Sequence, residues 1–151
     1  FARDKQAAVD ALQIALRDPE AAVRRSALGA LNGLAAYALA HAEAGLKVSP
    51  TWVVEMLNSI VWSDRVRAAD VLVTLTETRD GSTLGLLRER ALGSLVEMAR
   101  WKSLPHALPA FILAGRVAGA SEEEIRANWD TGEREKILSR LPSDRRTTGG
   151  R

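Results

Sequence analysis

The feature that most limits how this chain can fold is the spacing of its apolar residues. They recur every three or four positions almost from end to end, and nowhere do they alternate strictly over the length of a strand. That period gathers them on one side of an α-helix, so the expected fold is all-α. In "DKQAAVDALQIAL" the residues Ala8, Val9, Leu12 and Leu16 line one face. "RDPE" then stops the helix, with Asp18 expected as N-cap and Pro19 in the next first turn, where a missing N–H costs nothing. The second helix is expected to bury Val23, Ala27, Leu31 and Leu34, and to carry Glu20 and Arg24 as a surface i,i+4 pair.

The same grammar recurs downstream. "LKVSPTWVVEMLNSIVW" offers Ser49 as N-cap, Pro50 at the first helical position and Val53, Met56, Leu57 and Ile60 as a stripe. After "SD" a helix carries Val66, Ala69, Leu72, Val73 and Leu75 as far as the breaker "TRDG". A third pair reads "STLGLLRERALGSLVEMARW", with Leu84, Leu87, Ala91, Leu95 and Met98 inward, followed by "LPHALPAFILAGRVAG". There Pro109 either kinks the helix or marks its start, since an interior proline costs about 3 kcal/mol. Ser121 and Glu124 form a capping box that opens a helix at Glu122, with Ile125 and Trp129 one turn apart on it. Asp130 to Gly132 interrupt, and a last short helix buries Ile137, Leu138 and Leu141. The expected organisation is one helical domain over residues 1–141 and a mobile polar tail over 142–151.

Composition narrows the chemistry. The chain has 151 residues and 46% apolar content, enough for one domain with a core. It has no cysteine, which removes disulfides, thiolate catalysis and cysteine-held metals. No stretch reaches the roughly 18 apolar residues of a membrane span, so no membrane association is expected and the expected location is the cytoplasm. The chain opens on Phe1, from which a fragment or processed chain with an unseen upstream segment is expected. A net charge of +2 is small for neutralising several phosphates, so nucleic acid is not the expected partner. His41 and His106 stand in no zinc spacing, there is no phosphate loop and no GxSxG elbow, and Glu122 to Glu124 read as an acidic first turn. The expectation is no catalytic residue, no metal and no cofactor.

Helix pairs with short loops, repeating at about forty residues, are the sequence form of stacked helical repeats. In "LRDPEAAVRRSALGALNGLA", the order Asp18, Pro19, Val23, Arg24, Ala27, Leu31 resembles the inter-helix turn and second helix of HEAT-like, armadillo-related α-solenoids. Val66 and Arg67 recur at the Val-Arg position forty-three residues later. The resemblance covers Lys5 to about Gly119 and implies an α-α superhelix of about three stacked antiparallel helix pairs, closed by a short C-terminal helical cap. It further implies a ladder of polar contacts between neighbouring pairs, involving Asp18, Arg24 and Arg67. The second pair departs from the pattern, because Val61 falls where the turn Asp belongs and Asp70 where a small buried alanine belongs. Either Asp64 substitutes in the ladder from a shorter corner or the ladder is incomplete, with Asp70 half-buried opposite a cation.

On this reading "VWSDRVRAAD" is a helix corner: Trp62 closes it, Ser63 caps, Asp64 sits near the positive end of the helix dipole, Arg65 is solvated and Arg67 pairs with Asp70 or a neighbouring pair. The expected function is a non-enzymatic scaffold that binds a protein or peptide in its groove, using Trp62, Arg65, Arg67, Arg100, Trp101 and Lys102. A homo-oligomer through an uncovered N-terminal face is a further expectation. The alternative is a DNA-binding or DNA glycosylase-type protein, which shares the fold resemblance and places tryptophan, arginine and aspartate in a groove.

Overall fold

The computed structural model describes residues 2–142, and among them every regular element is a helix. The order is α1 (Ala2–Ala15), α2 (Ala21–Ala40), a 3-10 turn (Ala42–Ala44), α3 (Thr51–Met56), α4 (Trp62–Leu75), α5 (Gly81–Arg90), α6 (Leu92–Ala99), α7 (Leu104–Val117), α8 (Glu122–Asp130) and α9 (Glu135–Leu138). Three antiparallel pairs follow the chain: α1 with α2, α3 with α4, and the broken helix α5–α6 with α7. Their second helices form a continuous layer, α2 on α4 and α4 on α7, and α8 and α9 close the end against α7. Residues 143–151 of the expected tail lie outside the described residues.

One core runs from Val9 to Leu141 without a gap. Leu28 and Leu31 of α2, Leu57 after α3, Leu72 of α4, Leu95 of α6 and Phe111 of α7 are all fully buried, each contributing on the order of 1.5–3 kcal/mol by leaving water. Helix α7 is the hub, touching α4, α5, α6, α8 and α9, and its last five residues, Leu113 to Val117, are all buried. It runs without interruption through Pro109 from Leu104, so Pro109 is not its start. Pro105 in the first turn needs no N–H partner.

Several expectations shift for local reasons. Val23 stays 39% exposed and Ala8 is exposed, because among the described residues no element covers that side of α1 and α2. α3 ends at Met56, so Ile60 leaves the expected stripe and stands fully open in the turn. The expected single helix from Ser82 to Trp101 is broken at Ala91. There the Asn58 side-chain amide donates to the Arg90 carbonyl at 2.9 Å, taking an acceptor that would otherwise serve the next helical turn. The capping box forms: Ser121 Oγ accepts from the Glu124 N–H at 3.1 Å. Asp80 caps α5 by accepting from the Thr83 N–H at 3.0 Å.

Candidate functional site

The first and second hairpins turn the same corner. Asp18 Oδ1 accepts from the Glu20 N–H at 2.8 Å, two residues on, and forty-one positions later Ser59 Oγ accepts from the Val61 N–H at 3.1 Å. Both second helices begin three residues after their turn residue, and each carries an arginine in its fourth position, Arg24 and Arg65. Arg24 donates to the Asp18 and Pro19 carbonyls at 2.8 Å each and reaches forward to Asp64 Oδ2 at 3.0 Å. Arg65 reaches forward in the same way, to Glu97 at 3.3 Å and the Ser94 carbonyl at 3.4 Å, with its guanidinium 5.3 Å from the centre of the Trp101 ring. One hairpin further, Arg100 donates to both carboxylate oxygens of Glu135, at 2.8 and 3.0 Å.

This register corrects the pattern expected from Val-Arg. Arg65, not Arg67, occupies the place of Arg24, because the second corner is two residues shorter than the Val-Arg alignment supposes. Arg67 is exposed and, among the described residues, bonds to no neighbouring hairpin. Asp18 enters the row through its carbonyl and not its carboxylate. Arg24 is drawn to Asp64, so the expected Glu20–Arg24 pair does not form. Arg65 is largely covered rather than solvated. Ser63 caps nothing; Val61 holds the N-cap position and Ser59 supplies the turn. The Asp64 carboxylate, 4% exposed, also accepts from Ser59 Oγ at 3.2 Å, which leaves it fixed between two donors.

What remains open on this edge is aromatic and aliphatic. Trp62 is 56% exposed, its ring centre 5.0 Å from that of His106 on α7. His106 in turn lies 3.1 Å from Ser103 Oγ. Trp52 is covered on one face by the Arg17 guanidinium at 4.4 Å. Lys102 is exposed. Asp70 is exposed and makes no hydrogen bond among the described residues, so it is not part of the row; its pKa is raised chiefly by desolvation, partly offset by Arg67 and His106. On the opposite edge, buried Arg116 donates to the Val73 carbonyl and Thr76 Oγ1 at the end of α4 and to Glu122 at 2.7 Å. Arg116, followed by Arg79, holds the Glu122 carboxyl below the usual range.

Two hollows accompany these residues. A cleft of ≈ 340 Å³ between the first two hairpins is walled by Arg17, Trp52 and Glu55, with the Arg24–Asp64 pair at its base. A groove of ≈ 440 Å³ between α7 and α8 is lined by Leu108, Ile112, Ile125 and Trp129. The second was not foreseen, although Leu104, Leu108 and Ile112 recur every four residues in "LPHALPAFI" and so mark a stripe. Among the described residues no three His, Asp or Glu side chains gather as a metal site, and no helix is long and apolar enough to cross a membrane. Compared with known family models, curated proteins and solved structures, the chain matches none.

Proposed function

We propose that this protein is a HEAT-like helical-repeat scaffold without catalytic activity, binding a protein or peptide along the layer formed by α2, α4 and α7. The observation that carries this reading is the division of labour at the corners. Arg24, Arg65 and Arg100 are engaged in joining hairpins, while Trp62 stays open beside His106, and Arg67 and Lys102 have no ion pair among the described residues. A large aromatic side chain held on a rigid helix is a favoured binding anchor, since it contributes area at little entropic cost. The test is quantitative affinity capture with wild type and with Trp62→Ala/Arg67→Glu. A partner retained by the first and lost at least tenfold by the second, with unchanged circular dichroism, supports the scaffold. Equal capture removes Trp62 and Arg67 from the site.

One observation favours the glycosylase-type reading: Asp64 lines a cleft together with Trp52, Arg17 and Arg24. Against it, the Asp64 carboxylate is already bonded to Arg24 and Ser59, and it is almost wholly covered. Incubation with alkylated duplex DNA decides the matter: base release that disappears in Asp64→Asn would displace the scaffold reading, and no release is the expected result.

A further inference from the structure

The groove between α7 and α8 is more enclosed than the Trp62 edge and has a defined length. Leu104, Leu108 and Ile112 form one stripe on α7, and Leu104 is 55% exposed, so the stripe continues into open surface beyond the lined hollow. At 1.5 Å per residue these three span about 12 Å, close to two turns of a guest helix. The facing wall is Ile125 and Trp129, the latter seated on Phe111 with ring centres 5.4 Å apart and covered by Arg134 at 5.7 Å. Both walls are therefore fixed before any guest arrives.

The rim has a sign. Glu122 is neutralised by Arg116 and Arg79, whereas Glu123 and Asp130 have no hydrogen bond or ion pair among the described residues. Among the described residues a single unpaired cation, Arg126, stands with them, so the free charge that these residues give the rim is negative. Arg134 and Arg140 are committed elsewhere, to the Ala99 and Trp101 carbonyls and to Glu124.

We propose that this groove seats one short, basic amphipathic helix of a partner protein, its apolar residues entering between Ile112 and Trp129 and its lysines or arginines meeting Glu123 and Asp130. The proposal goes beyond the scaffold reading, adding a second surface with its own partner chemistry. Apolar side chains one or two turns apart on a guest helix match the spacing of the stripe, and opposite rim charge sets its orientation and excludes acidic helices.

The probe is a fluorescein-labelled synthetic peptide of about 14 residues, leucine on one helical face and lysine on the other, alongside a twin with glutamate for lysine. Fluorescence anisotropy is expected to give at least tenfold tighter binding of the lysine peptide. Ile112→Glu and, separately, Leu108→Glu are expected to weaken it at least tenfold with unchanged circular dichroism, since both residues are already partly exposed. Glu123→Lys/Asp130→Lys is expected to invert the preference between the twins, and Trp62→Ala to leave it alone. Equal binding of the twins, or binding indifferent to both groove variants, overturns the proposal. Binding that depends on Trp62 and not on Ile112 overturns it too, while leaving the scaffold reading intact.

Discussion

The two ends of the stack are finished differently. At the C-terminal end, α8 and α9 are dressed in charge: Arg100 with Glu135, Arg140 with Glu124, Lys136 with Glu133 and Arg116 with Glu122. At the N-terminal end, Ala8, Ala11, Val23, Ala30 and Gly33 stand exposed on α1 and α2, and the hairpin is tied to its neighbour through the largely buried Arg24–Asp64 pair. A stack of helices needs a polar outer face wherever it meets water. The difference teaches that the outer surface of the C-terminal helices is held by ion pairs, whereas the first pair leaves small and apolar residues open beside its charged ones.

The largest test of that contrast is Asp64→Ala. It strands the Arg24 charge in a covered corner and is expected to cost about 3 kcal/mol in chemical denaturation. The double variant Arg24→Met/Asp64→Leu should recover most of it; equal loss in both would mean that packing, not charge, holds the first hairpin. Next is Gly115→Val at the other end. A Cβ at Gly115 would stand 2.5 Å from Ile125 Cγ1, so α8 must move away from α7 at a cost of about 2 kcal/mol, read by the same denaturation.

If the N-terminal face is an interior layer left bare, the chain should self-associate through it. Sedimentation equilibrium is expected to detect this at high concentration, with Ala30→Arg weakening it about tenfold, or roughly 1.4 kcal/mol. A monomer at every concentration would show that the bare end is stable alone. Acid should act in the opposite direction along the stack. Glu122, Glu124 and Glu135 have carboxyl pKa values lowered by Arg116, Arg140 and Arg100 respectively. A carboxyl depressed by folding adds stability above its unfolded value and loses it as pH falls through the folded one. Hydrogen exchange below the ordinary carboxyl range, about pH 4, should therefore speed up at α8 and α9 before α2. The effect is a modest one, because these carboxylates are exposed. Smallest is Gly33→Ala: nothing lies within 4 Å of the added Cβ, so a gain of about 0.5–1 kcal/mol in helix stability is expected. A loss there would reveal a close approach at the bare face.

The helical class and the stacking order were legible because burial writes a three-to-four residue period into any amphipathic helix. Ser121 and Glu124 announced α8 through the same local chemistry that forms it. The corner register was not legible. Arg65 and Arg67 are both arginines in one short stretch, and only the position of Ser59, which fixes where α4 begins, decides which of them faces the next hairpin. The break at Ala91 was hidden for a similar reason, since its cause is Asn58, thirty-two residues away. Trp62 and Trp101 read alike in the sequence, yet Arg65 covers one and leaves the other open.

The forward reach of Arg24, Arg65 and Arg100 carries a mechanical consequence. Each reaches no further than the element after its own hairpin, and among the described residues no such tie spans the molecule from end to end. Pulled apart by its termini, the chain should yield in instalments, releasing about forty residues, or roughly 140 Å of thread, at each rupture.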